Sequence, residues 1–324
     1  MTTLLDYDRF NMTENTPLVS IIIATYNRAR FIEETVESIL KQTFGDFELI
    51  IISDGSTDNT TSIIASIDDQ RIRYVEQPPS GRPAVPRNRG IQLSRGKYVA
   101  FCDDDDLWGA EKLAKQVAFM EQHPDIGLSF GYAENFGETA FKGMLLYARK
   151  ESDSIVSFEK LLLGNKIATF TVLVRKRCLD AVGCFDENPE FKAIEDYDLW
   201  LRIALKYKIA CVPEILGKYR VHPENISGNK VKERMKLLKI AEKFKKDGLV
   251  AQDLLKKVES RIFWMIGNAM LGYNDSQYRK WLVNSFIAAK NMRTTLALLL
   301  CCLPIGVSRR LYNYLEKLKV NCQH

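Results

Sequence analysis

The residues best placed to do chemistry are acidic. "VAFCDDDDLW" (Val99–Trp108) sets four aspartates, Asp103 to Asp106, at the end of an apolar run. "EDYDLW" sets Glu195, Asp196 and Asp198 within four residues. Asp54 follows another apolar run, and His222 follows a later one. Adjacent carboxylates repel. A strand end tolerates them if a divalent cation, which takes oxygen ligands, offsets the repulsion. It also tolerates them if water screens them, with Asp105 or Asp106 capping a helix that begins near Trp108. A single carboxylate facing a hydroxyl can take its proton, which is typically worth ~100- to 10,000-fold in rate. As such a base, Asp196 at a helix start is favoured by the dipole and is expected to stay ionised at neutral pH, while the plain alternative for "EDYDLW" is an acid cluster capping a helix. Asp198 lies two residues beyond Asp196, faces elsewhere and reads as a structural acid. His222 reads equally well as a buried polar residue at a strand end.

Those residues need a frame. "PLVSIIIATYN" (Pro17–Asn27), "FELIIISDGS" (Phe47–Ser56) and "KYVAFCDDDD" (Lys97–Asp106) are apolar at consecutive positions. Such runs suit strands buried on both faces of a parallel sheet. Between the first two, Phe31, Val36, Ile39 and Leu40 recur at roughly helical spacing. After the second, Ser56 or Thr57 is expected to cap a helix carrying Ile63, Ile64 and Ile67. Strand–helix–strand–helix–strand predicts an α/β nucleotide-binding half. Ligands of an open parallel sheet bind beyond the carboxyl ends of its strands, so Asp54 and Asp103–Asp106 fall on one rim. Residues 128–169 read as loops and an edge strand. Thr169–Glu187 reads as a strand, a short helix and a turn, Glu195–Tyr207 as a helix, and the stretch to His222 as one or two strands. From Lys230 the pattern is wholly helical.

The chain has 324 residues and a net charge of +5. Residues 230–324 hold 19 Lys and Arg against 7 Asp and Glu, so the rest of the chain is negative. That asymmetry suits an anionic partner or the solvated faces of amphipathic helices. Seven cysteines with no C-x-x-C pair suggest reduced thiols in a cytosolic protein and argue against a disulfide frame or a zinc site. The N-terminus carries no apolar run of secretory length. Nowhere do about 18 uncharged apolar residues run together, so no spanning helix is expected.

Six segments in order, "VSIIIATYNR", "ELIIISDGSTDNT", "PRNRGIQLSRGKYVAFCDDDDLW", "GCFDE", "EDYDLWLR" and Tyr219–Ser227, make the chain resemble family 2 glycosyltransferases of the GT-A fold. They cover roughly residues 17–227, and the last hundred residues carry none of them. The resemblance implies an N-terminal tail over 1–16 and a catalytic domain over 17–228. That domain would comprise a nucleotide-sugar half, 17–127, and an acceptor half, 128–228, followed by a helical region over 229–324. It implies a nucleotide-sugar donor, usually a UDP-sugar, a Mn²⁺ or Mg²⁺ ion, and transfer with inversion. Thr25, Tyr26 and Asn27 match the segment that cradles the nucleotide, Asp54 the carboxylate that meets the base, and Arg87 and Asn88 the pair near the nucleotide. Asp103, Asp104 and Asp105 match the D-x-D element, with Asp105 the direct metal ligand and Asp103 beside it. Glu195 and Asp196 match the element that supplies the catalytic base. His222 matches a histidine near the diphosphate or metal. Two departures stand out: Ser53 replaces an acid that many relatives carry before Asp54, and the middle of the D-x-D element is itself an aspartate.

Two other functions compete. A non-catalytic nucleotide-sugar-binding protein has no need for Asp103, Asp105 and Asp196 together. A nucleotidyltransferase usually opens with a glycine-rich loop after its first strand, and "TYNRARF" has no glycine. No G-x-G-x-x-G follows a strand, which excludes a dinucleotide-dependent dehydrogenase. Nucleic-acid binding rests on the basic tail alone and is not expected. The expected acceptor is a saccharide or a lipid-linked glycan, the expected sugar a hexose, and the setting polysaccharide biosynthesis. "TTLALLLCCLPIGV" (Thr294–Val307), followed by Arg309, Arg310, Lys317 and Lys319, is too short to span a bilayer of ~20 residues. It predicts membrane-surface contact through 294–320 by a cytoplasmic, peripheral enzyme. The alternatives are a helix closing the core or a homodimer contact.

Overall fold

The computed structural model describes residues 6–7, 16–137, 145–146, 155–223, 230–273 and 275–321. Most of the expected N-terminal tail and residues 224–227 of the last motif lie outside them. The chain divides into two compact units, Met1–Asn225 and Ile226–His324.

The first unit runs β1 (Asp6–Tyr7), β2 (Val19–Thr25), α1 (Ile32–Leu40), β3 (Phe47–Ser53), α2 (Thr60–Ser66), β4 (Ile72–Glu76), α3 (Ala84–Leu93) and β5 (Tyr98–Asp103). It continues through β6 (Leu107–Trp108), α4 (Lys112–Gln122), β7 (Ile126–Gly137), β8 (Leu145–Leu146), β9 (Ile155–Val156) and α5 (Phe158–Leu162). It closes with β10 (Leu173–Arg175), α6 (Lys176–Val182), α7 (Glu195–Lys206) and β11 (Lys208–Val221). One sheet carries it in the order β1-β4-β3-β2-β5-β10-β7-β11-β6.

β2, β3 and β5 are parallel, as their continuous apolar runs predict, and β4, which has no such run, joins them in parallel beside β3. Ile21, Ile23, Leu49 and Ile51 pack with Ile32, Val36 and Ile39 of α1. Ile50 and Ile52 face the other way, onto Val75. Register decides where the chemistry falls. Thr25 pairs with Ser53 and Ala24 with Asp103, so three strands end level and release their polar loops on one rim.

The middle differs from the sequence reading. β7 is no edge strand: it lies inside the sheet, antiparallel to β10 and parallel to β11 along nearly its whole length. Its glycines suggest loops, yet Gly131 is required by packing, because a Cβ there would come within 2.5 Å of the Leu216 side chain. β11 is one continuous strand with bulges, and it carries the chain back to the rim at His222. Trp108 and Trp200 are buried core residues.

The second unit is helical: α8 (Lys230–Lys246), α9 (Gln252–Gly272), α10 (Tyr278–Ala288), α11 (Met292–Cys301) and α12 (Ile305–Asn321). Asn291 and Thr294 form a reciprocal cap at the start of α11. Among the described residues, no helix is long and apolar enough to cross a membrane.

Candidate active site

The first wall of the site is the pair of loops after β2 and β3. Asn27 sits in the left-handed region at φ 51°, a sparsely populated conformation that clusters at functional sites. Its Oδ1 accepts from the backbone N–H groups of Thr57 (2.7 Å) and Asp58 (3.3 Å), and its own N–H donates to Ser56 Oγ (3.1 Å). Ser56 and Thr57 therefore hold Asn27 and do not cap α2. Asn59 stands at the cap position without a side-chain bond, and Asp58 before it accepts from the Thr60 N–H at 3.0 Å. Thr25 is buried and Tyr26 half-exposed beside this turn.

Asp54 is buried, and its carboxylate accepts four hydrogen bonds from the loop after β4. They come from Gln77 Nε2 (2.8 Å), the Ser80 N–H (3.0 Å), Ser80 Oγ (2.9 Å) and the Gly81 N–H (3.1 Å). Four donors fill the acceptor capacity of a carboxylate. Next to it, Gly55 has φ 80°, and a Cβ there would meet Pro79 at 2.7 Å, so the loop closes only around glycine.

The four aspartates solve their repulsion separately. Asp103 Oδ1 accepts from Arg87 Nη2 at 2.7 Å. Asp104 accepts from Arg28 Nε at 3.1 Å and the Tyr26 N–H at 3.3 Å. Asp105 Oδ2 lies 3.0 Å from His222 Nε2. Asp106, fully buried, accepts from the Arg220 N–H at 2.8 Å. Asp105 and Asp106 cap no helix, since α4 begins only at Lys112. Burial and then Asp105 push the Asp104 carboxyl up to about 7, against the pull of Arg28. Burial also lifts Asp105, although the hydrogen bond from His222 works against it. Burial, with Asp105 and Asp103, lifts Asp106 well above the carboxylate range.

Arg220 is a site residue that the spacing did not reveal. Its Nε donates to the Asp105 carbonyl (2.7 Å) and its Nη2 to Glu34 (2.6 Å), while the guanidinium lies between the rings of Phe31 and Phe136. It falls inside "YRVH", one residue from the strand end, so its signal was present but weak.

The second wall comes from α3 and the start of α7. Arg87 reaches Asp103 with one nitrogen and Glu195 Oε1 with another, at 2.9 Å. Burial opposes its charge, but Asp103, Glu195 and Asp196 outweigh that and raise its hold on the proton. Glu195 is buried, and its Oε2 has no hydrogen-bond partner among the described residues. Asp196 accepts from Thr169 Oγ1 (3.0 Å) and from the Tyr197 N–H (2.7 Å). Burial and then Glu195 raise its carboxyl to about 6, with Arg87 opposing. Ala193, just before the helix, holds φ 71°, a second strained residue at the rim. Asp198 is buried and paired with Arg202 at 2.8 Å. The Asn88 amide is engaged with the Phe185 backbone (2.9 Å in both directions) and with Glu187 (2.8 Å), so it holds the "GCFDE" loop.

The structure thus brings Asp103, Arg87 and Glu195 into one chain of contacts, and Asp105 beside His222. Among the described residues no three His, Cys, Asp or Glu side chains are grouped to hold an ion. Asp103 Oδ1 is turned to Arg87, while Asp105 and His222 lie together. Asp105 and His222 are the residues that would hold a divalent cation, and such a cation would offset the charge of a diphosphate. The mutually raised carboxylates also fit a cation, whose charge would reverse their shifts.

Residues 20–178 match the model of the glycosyl transferase family 2. The Escherichia coli UDP-Glc:alpha-D-GlcNAc-diphosphoundecaprenol beta-1,3-glucosyltransferase WfaP is 36% identical over 217 residues, 67% of this chain and 82% of that one. Staphylococcus aureus TarS 1-349, solved with UDP-GlcNAc, superposes with a TM-score of 0.62 at 18% identity, covering 92% of this chain and 91% of that one. The mannosyltransferase PcManGT of Pyrobaculum calidifontis, solved with GDP-Man and Mn²⁺, gives 0.61 at 18% identity, with 94% and 87% covered. The chain belongs to glycosyltransferase family 2 and has its GT-A fold, and it is a glycosyltransferase.

Proposed function

We propose that the chain moves a hexose from a UDP-sugar to a lipid-linked saccharide, with inversion, in surface-polysaccharide assembly. The observation that carries this reading is Arg87 spanning Asp103 and Glu195, which ties a strand-end aspartate cluster to a helix-start acid pair. WfaP is named for a UDP-Glc donor, a diphosphoundecaprenol acceptor and a β product, which supports the donor, the acceptor class and the inversion. In this reading residues 17–127 hold the donor, 128–228 the acceptor, and 229–324 form a helical region.

Asp196 is the base. Raised to about 6, it is mostly ionised at neutral pH yet close enough to accept a proton as the acceptor oxygen attacks. The new bond joins that oxygen to the anomeric carbon, the bond from that carbon to the diphosphate breaks, and its electron pair leaves with UDP. A single displacement inverts the centre. Glu195 fixes Arg87, and Arg87 keeps Asp196 from being protonated too readily. Asn27, Tyr26 and Thr25 frame the nucleotide. Asp54 shapes the loop at 77–81 and meets the base only by giving up one of its four donors. Asn88 acts through the loop that it holds. Asp105 and His222 would hold a Mn²⁺ or Mg²⁺ ion, which neutralises charge on the leaving diphosphate when bound.

The test is transfer by the purified chain from a panel of nucleotide sugars to a synthetic GlcNAc-diphosphate lipid. Formation of a β-linked product from a UDP-hexose is expected. Transfer from none of the panel, or retention of configuration, would overturn it.

A further inference from the structure

The last three helices bury a mixed set of apolar, polar and small residues and leave other large apolar ones outward. α10 buries Tyr278, Leu282 and Ser285, α11 buries Thr294, Ala297 and Leu300, and α12 buries Ser308. These faces converge: the Tyr278 hydroxyl lies 3.3 Å from the Leu300 carbonyl and 3.4 Å from Ser308 Oγ, and Arg279 Nη2 donates to the Leu303 carbonyl at 2.9 Å. On the outward faces stand Val283 and Ile287, Leu296 and Leu299, and Val307 and Leu311. Each pair is three or four residues apart, so each makes one stripe on its helix. Their exposures run from 37% to 71%, which is costly in water for side chains of this kind.

The sequence of this region is strongly basic. Residues 276–324 hold eight Lys and Arg and a single acid, Glu316. Arg309 and Arg310 are exposed on the same turn as Val307 and Leu311.

We propose that this face docks on the surface of an anionic lipid bilayer, with the leucine and valine stripes in the headgroup–acyl boundary and the arginines against lipid phosphates. A second copy of the chain fits less well, because a two-fold contact through the α12 stripe would bring Arg309 and Arg310 against their own counterparts. A spanning insertion fails on length, since α11 has ten residues and ~20 are needed. Apolar stripes flanked by Lys and Arg are what an interfacial helix requires. The inference rests on the patch and holds whatever the sugar acceptor.

The test is flotation of the full-length chain with phosphatidylcholine vesicles, alone or with about one third phosphatidylglycerol, and with no glycolipid present. Anionic vesicles are expected to bind at least ~10-fold more protein than neutral ones, and added salt to reverse this. Leu296→Asp with Leu299→Asp should remove binding. Arg309→Glu with Arg310→Glu should lower it by ~10-fold or more, at about fivefold per cation lost. Both pairs are exposed, so the thermal melt should stay unchanged, and Val307→Asp with Leu311→Asp provides a second apolar pair if the first fails to fold. Equal binding to both vesicles, or binding unchanged in all three double variants, would overturn the proposal. So would a concentration-dependent dimer that Leu296→Asp with Leu299→Asp disperses in a chain that ignores vesicles.

Discussion

Arg87 and Glu195 meet at 2.9 Å although 108 residues separate them in the chain. The same guanidinium holds Asp103 at 2.7 Å, so a change at either end of this bridge is felt at the other. Replacing Arg87 with Gln should lower turnover at neutral pH, because the base loses the cation that keeps it ionised. The sign is fixed by charge: without Arg87 the Asp196 carboxyl rises above about 6, and the acid limb of the pH–rate profile moves to higher pH. Arg87→Lys should restore little, since an ammonium cannot present the planar fork that reaches both carboxylates. A pH–rate profile that is lower but unshifted would disprove the electrostatic link.

In wild type, activity should fall as pH drops through about 6, where Asp196 takes up a proton. Asp196→Asn should lower turnover by ~100-fold or more and flatten that limb. UDP affinity, measured by titration calorimetry, should change little, because the base acts on the acceptor. A dead Glu195→Gln beside an active Asp196→Asn would identify Glu195 as the base.

Much of this arrangement was legible in the sequence. Continuous apolar runs found the parallel strands, and strand ends found the rim, because period and position are local properties. Asp105 beside His222 was reachable only through the resemblance, since their approach depends on β11 crossing beside β7. What the sequence hid were the partners. Asp54 holds Ser80 and Gly81, Asn88 holds Phe185, and Arg220 props Asp105, and each of these depends on how loops from different strands fold against one another. The interior position of β7 was hidden too, because glycines needed for close packing look like glycines needed for turns.

Asp106 should hold its proton to higher pH than an ordinary carboxyl, because burial and the neighbouring Asp105 and Asp103 disfavour its charge. It is fully buried beside three other aspartates, and its carboxyl is held well above the usual range. A raised folded-state carboxyl stabilises most at low pH, and that contribution is lost as pH rises through the folded value. Asp106→Asn keeps an acceptor for the Arg220 N–H and carries no charge. Its melting temperature should therefore match or exceed wild type at pH 8 and show a smaller drop between pH 5 and pH 8. Asp106→Leu, which leaves that N–H without its acceptor, should cost ~1–3 kcal/mol. An Asn variant that melts lower by the same amount at both pH values would show that the carboxylate is needed charged.

Mn²⁺ should stabilise the chain without any donor present, which separates ion binding from catalysis. At an ion concentration ~100 times the dissociation constant, the gain is about 2.7 kcal/mol, a rise in melting temperature on the order of 5 °C. The rise should be larger at pH 8 than at pH 5, because protons compete for Asp105, whose carboxyl is already raised, and for its lifted neighbour Asp104. Asp105→Ala and His222→Ala should each abolish it, while Asp103→Asn, whose carboxylate is turned to Arg87, should leave most of it. Arg220→Gln removes the grip on the Asp105 carbonyl and should weaken Mn²⁺ binding several-fold, although Arg220 offers the ion no ligand. The deciding measurement is the Mn²⁺ dependence of the melting temperature across these four variants. A rise that persists in Asp105→Ala and vanishes in Asp103→Asn would move the ion to the other end of the cluster.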